Sequence, residues 1–84
     1  MNNLDTRIYG YLLDWDSPRF IDEIQVALEQ DSPLVVYEAV VYEALERLRQ
    51  TGLVILDKRM ERLGFGTAYT AISDPREIVR KHYE

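Results

Sequence analysis

The chain is 84 residues long, 46% hydrophobic and 30% charged: enough for one small core, and too apolar for a disordered tail. It has no cysteine, which excludes disulfides, zinc–thiolate sites and a thiol nucleophile and fits a reducing interior. The net charge is −5, from fifteen acidic against ten basic residues, which argues against a strong general attraction to nucleic acid or to anionic membrane.

That charge is unevenly spread. Residues 1–36 carry −5, residues 37–56 carry −1, residues 57–66 carry +1 and residues 67–84 are balanced, so the only local positive excess lies at 57–66. Two lysines stand against eight arginines, a mix that with surplus acid is compatible with a salt-adapted or GC-rich source. No basic-then-apolar leader is visible at the N-terminus, and no run approaches the ~18–20 apolar residues of a membrane span. The sequence reads as soluble and cytoplasmic, a single domain over residues 1–84.

Leu4, Ile8, Tyr11, Leu12 and Trp15 recur at helical spacing and predict a first helix over about residues 4–15. Tyr9 and Leu13 widen its apolar arc, either because two other helices pack on it or because it meets a second copy. Asp16-Ser17-Pro18 breaks the pattern. Either Ser17 caps the next helix with Pro18 at its first position, or Pro18–Phe20 is extended and Asp22 is the cap. The second helix buries Ile24, Ala27 and Leu28 and ends near Gln30, before a second break at Asp31-Ser32-Pro33.

The third helix begins between Pro33 and Tyr37 and runs to about Thr51. Gly52 suits the left-handed position past its end, with Leu53 folding back on the last turn. Leu53–Asp57 and Thr67–Ile72 read as two strands of a β-hairpin around the charged stretch 58–63 and the turn Gly64-Phe65-Gly66. After Ser73-Asp74-Pro75, a short amphipathic helix carries Ile78, Val79 and Tyr83.

Three stretches carry a resemblance. Ile8-Tyr-Gly-Tyr-Leu-Leu13 followed by Glu23-Ile-Gln-Val-Ala-Leu28 is similar to the first two helices of PadR-like regulators. Val41-Tyr-Glu-Ala-Leu-Glu-Arg-Leu48 through Gly52-Leu53-Val54 looks like their third helix and the entry to the wing. Gly66-Thr-Ala-Tyr-Thr-Ala-Ile-Ser73 looks like the returning wing strand. Together these resemble the winged helix-turn-helix superfamily over nearly the whole chain. The fold class implied is α+β: three helices, a two- to three-stranded β-wing and a short C-terminal helix. The function implied is a small DNA-binding transcriptional regulator, double-stranded DNA its partner and a homodimer its working form. Residues 29–36 are longer than a compact helix-turn-helix turn. The long C-terminal helices by which PadR-like proteins usually dimerise have no counterpart here.

Residues 37–50 hold two copies of Tyr-Glu-Ala five positions apart, which on a helix is a rotation of roughly 140° between copies. With Val41, Ala44, Leu45 and Leu48 as the buried stripe, Tyr37 falls on the stripe and Tyr42 points away. The outward face is then Ala39, Tyr42, Glu43, Glu46, Arg49 and Gln50, flanked by Glu38 and Arg47. In a DNA-reading winged helix this face enters the major groove. Glutamate there accepts from cytosine amino groups, and Tyr or Gln bonds base edges or phosphates. A solvated helix shows the same residues, with Glu43/Arg47 and Glu46/Gln50 as ordinary (i, i+4) pairs. Lys58, Arg59 and Arg62 are the candidate phosphate contacts of the wing, or else keep an exposed hairpin soluble. Phe65 either folds onto the core or anchors a partner. An acidic third helix also suits a protein–protein interaction module turned toward a basic or apolar partner.

No enzyme chemistry stands out. His82 is the only histidine, with no cysteine or spaced carboxylate cluster to share a metal. Gly64-Phe65-Gly66 opens a strand, where a phosphate-cradling loop opens a helix. Asp22-Glu23 fits a helix N-terminus, where the dipole favours acids. No cofactor is expected.

Overall fold

The computed structural model describes residues 2–15, 17–30 and 35–72. The fold is α+β: helices packed on a small antiparallel sheet. α1 spans Asn3–Leu13, and its first turn is closed by Asn2, whose side chain accepts from the Asp5 amide at 2.9 Å. The helix stops two residues short of the expected Trp15. Its last turn tightens into three-residue bonds, Asp14 N to Tyr11 O at 3.2 Å and Trp15 N to Leu12 O at 3.3 Å, just upstream of Pro18.

β1 is the pair Arg19–Phe20 and leads directly into α2, Ile21–Gln30. The extended alternative for Pro18–Phe20 is thus the one adopted, but Asp22 is not the cap. Pairing of Arg19 with Tyr69 and Phe20 with Ala68 holds the chain extended up to the helix, which therefore starts one residue before Asp22. Phe20 has no side chain to cap with. Glu23 does it from the third helical position, its Oε1 accepting the Phe20 amide at 3.0 Å, half of a capping box.

α3 spans Glu38–Gln50. Gly52, at φ 81°, ends it as expected: Gly52 N donates to Arg49 O at 3.0 Å and Leu53 N to Leu48 O at 3.0 Å. Tyr37 corrects the expected stripe. It is the extended residue before the first turn and 69% exposed, because the helix has not yet begun there. Val36 packs on the core in its place.

β2 is Val54–Leu56 and β3 is Ala68–Ala71, antiparallel with Val54 opposite Ala71, and the sheet order is β1-β3-β2. The expected hairpin exists, but its charged connection is helical. α4, Lys58–Arg62, starts at Asp57, whose carboxylate accepts the Met60 amide at 2.7 Å. The break at 31–33 and the C-terminal helix expected after Ser73 lie outside the described residues.

Ile8 and Leu12 of α1, Ile24 and Leu28 of α2, Val41, Ala44, Leu45 and Leu48 of α3, and Val54 and Tyr69 of the sheet form one buried cluster. Each fully buried aliphatic side chain contributes about 1.5–3 kcal/mol relative to exposure. Polar ties fix the layers: Arg7 Nη2 donates to Leu28 O at 3.0 Å, and Tyr9 Oη to Ile72 O at 2.7 Å. Among the described residues no helix is long and apolar enough to cross a membrane.

Candidate nucleic-acid interface

α3 turns Val41, Ala44, Leu45 and Leu48 inward, so its opposite side faces solvent. Ala39, Tyr42, Glu43, Arg49 and Gln50 are exposed and Glu46 is half-buried, so the expected outward set does share one face. The charges on it are engaged differently from the expectation. Glu46 does not pair with Gln50; it takes Arg49 Nη1 at 2.8 and 3.1 Å.

Arg47 is not paired with Glu43. Its Nε and Nη2 reach across to Asp5 Oδ2 and Oδ1 at 3.0 and 2.8 Å, a two-pronged pair between α3 and α1. The reason lies in Asp5, which is 4% exposed and requires a cation that Glu43, solvated already, does not. The bond to Asp5 is the main cause that raises the Arg47 pKa; desolvation opposes it, and the charges of Asp5 and Glu43 add to it. Arg47, one of the candidate DNA contacts, is thus tied to α1, with its side chain 45% exposed. Glu38 and Glu43 enter no ion pair among the described residues.

Tyr69 of β3 is part of the buried cluster on which the inward stripe of α3 packs. Burial is the first cause that pushes its phenol up from the usual range; Glu46 and Tyr42 push the same way and Arg49 opposes.

The second surface is the β2–β3 connection. Lys58, Arg59 and Arg62 are exposed and in no ion pair among the described residues, and Arg62 Nε makes only a long 3.4 Å bond to Lys58 O. Of the two carboxylates in this segment, Asp57 is committed to the α4 N-terminus, while Glu61, next to Arg62, is exposed and in no ion pair among the described residues. Phe65 does not fold onto the core; it is 66% exposed, with Leu63 at 62% beside it in sequence.

Two features escaped sequence reasoning. Asp5 sits three residues before Ile8 and seven before Leu12, on the buried stripe of α1, and that spacing was its signal. Arg19 lies 3.7 Å over the Trp15 ring while Nη1 meets Glu23 at 2.7 Å and Nη2 meets the Ser17 hydroxyl at 2.8 Å. This clamp, beside a groove lined by Tyr11, Trp15, Val26 and Ala27, pins the turn between α1 and α2. Among the described residues no group of three or more potential ligands gathers to hold a metal, and His82 lies outside them.

No protein-family model, curated protein or solved structure matches this chain.

Proposed function

We propose that the chain is a winged-helix DNA-binding domain, a small cytoplasmic transcriptional regulator without enzymatic activity that acts as a dimer. In this reading α3 is the recognition helix and the β2–β3 connection is the wing. The observation that carries it is the pairing of surfaces. An exposed helical face with Tyr42 and Gln50 accompanies a hairpin connection of net charge +1 whose Lys58, Arg59 and Arg62 are in no ion pair among the described residues. Tyr42, Glu43 and Gln50 supply donors and acceptors for base edges, and the wing cations supply the phosphate attraction that dominates affinity.

A specific observation favours a second reading. Both arginines of α3 are held by carboxylates, while Glu38 and Glu43 are not held by cations and Tyr37, Val40 and Tyr42 are exposed. That surface suits a basic or apolar protein partner, and the domain would then be an interaction module.

Fluorescence-anisotropy titration with pooled genomic DNA fragments separates the two. Under the first reading a subset of fragments binds, Arg59→Glu with Arg62→Glu abolishes binding, and Glu43→Lys with Glu46→Lys raises affinity for all fragments while eroding the discrimination among them. Absence of binding at about 50 mM salt, where counterion release favours it most, sinks the first reading. Under the second, the wing reversals leave partner capture intact and the α3 reversals damage it.

A further inference from the structure

Hydrogen bonds close both ends of the short helix at the tip of the β2–β3 connection. Asp57 closes the start of α4, and at its end Gly64 N donates to Glu61 O at 3.1 Å and Phe65 N to Met60 O at 3.0 Å. Gly64 and Gly66, at φ 83° and 98°, bracket Phe65 in conformations that only glycine adopts readily. In a helix ending of this kind the residue at Phe65's position ordinarily folds its apolar side chain back on the last turn. Here it stays 66% exposed, and Leu63 is 62% exposed. Lys58, Arg59 and Arg62 belong to the same short segment, as does the exposed Glu61, and none of the three cations is in an ion pair among the described residues. An aromatic and an aliphatic side chain thus project from a fixed backbone in the company of three cations.

We propose that Phe65, backed by Leu63, is a wedge that enters the base stack of double-stranded DNA and partly unstacks one step, while Lys58, Arg59 and Arg62 hold the flanking phosphates. The proposal rests on the DNA-binding reading above and adds to it a mode of selection. Apolar wedges between base steps bend the duplex, and the cost depends on how easily the step deforms, least at pyrimidine–purine steps. Specificity then comes from deformability at the wing, which suits a recognition helix whose own face is acidic and poor in free cations. Because the turn is already closed by hydrogen bonds, insertion does not have to order it first. An anionic lipid surface attracts the same combination of groups. It is the weaker candidate, since two side chains offer a bilayer little area and the exposed face of α3 would go unused.

The test uses the full chain and duplexes from a bound fragment, with 2-aminopurine placed at successive positions; its fluorescence rises when stacking is lost. The expected result is a rise confined to one step. Phe65→Ala should abolish the rise and weaken binding by about tenfold while leaving the salt dependence unchanged, since the phosphate contacts remain. Phe65→Leu should keep part of the rise. Circular dichroism checks that both variants are folded, as substitution of an exposed side chain should allow. Binding by anisotropy with no rise at any position overturns the wedge and leaves the DNA reading standing. Absence of DNA binding overturns both. Phe65-dependent binding to phosphatidylserine vesicles without DNA binding overturns the proposal in favour of a membrane.

Discussion

Asp5 and Arg47 are unequal partners in one ion pair: the carboxylate side chain is 6% exposed and the guanidinium side chain 45%. Removing the arginine leaves a buried negative charge without a counterion, whereas neutralising Asp5 leaves a cation that water still reaches. Arg47→Leu should therefore lower the urea midpoint more than Asp5→Asn, and the reverse order would refute the buried-charge argument. Tyr69 makes a pH prediction of its own. Its folded-state pKa is raised above the ordinary 10.0, first by burial, so the unfolded chain loses the phenolic proton before the folded one does. Stability tied to this group is complete below about pH 10 and is lost as pH rises through the folded pKa. Urea midpoints measured from about pH 8 to 11.5 should fall above pH 10, and Tyr69→Phe should flatten the fall. Some slope should remain, because the Tyr11 pKa is raised too, first by desolvation, with Glu23 raising it further and Arg19 opposing. An identical profile in the Tyr69→Phe protein would remove Tyr69 as the cause.

At the scale of elements, one substitution should have opposite signs at different glycines. Gly10 lies inside α1, where an added Cβ meets nothing within 4 Å. Gly10→Ala should stabilise by about 0.5–1 kcal/mol. Gly52 and Gly64 offer the same space but sit at φ 81° and 83°. Gly52→Ala and Gly64→Ala should each cost about 1–2 kcal/mol, read from chemical denaturation; a neutral Gly52→Ala would mean the α3 ending relaxes without strain. These endings also measure what the sequence made legible. Gly52-Leu53 announced the end of α3, and the apolar period of α3 picked out its buried stripe, because burial on one face forces that spacing. Leu63-Gly64-Phe65 has the same form as Thr51-Gly52-Leu53, yet α4 stayed hidden. Its residues Lys58–Arg62 are too few and too charged to show a period, and only the Asp57 cap betrays it. Tyr37 was misplaced by extending the α3 period past its first turn. The Asp5–Arg47 pair joins positions 42 residues apart, and (i, i+4) reasoning along one helix has no access to that distance. The outward set of α3 was legible as a face; which of its charges were free was not.

For the whole molecule, the question is whether so acidic a domain holds enough positive charge to bind DNA. With Arg47 and Arg49 paired, the cations at the candidate interface reduce to Lys58, Arg59 and Arg62. Each neutralised phosphate contributes about −0.9 to the slope of log affinity against log salt concentration. A monomer using these three contacts should give a slope near about −3, and a dimer presenting two wings near about −5. Anisotropy titrations across salt concentration, with sedimentation velocity at the same protein concentrations, read the slope and the oligomeric state independently. Arg62→Ala should reduce the magnitude by about 1 per chain, while Arg47→Leu, once shown to be folded, should leave it unchanged because Asp5 already holds that charge. A slope that fell with Arg47→Leu would mean the α1–α3 pair opens on DNA and returns Arg47 to the interface. If α3 meets DNA, Glu38 and Glu43 should repel the phosphates at low salt, an effect that screening cuts back as its length shortens to ~3 Å at 1 M. Fragment selectivity that survives into molar salt would therefore fit a salt-adapted protein, in which the solvent removes the repulsion that α3 builds in. Selectivity confined to low salt would mean that discrimination depends on the phosphate attraction of Lys58, Arg59 and Arg62 to hold the complex together.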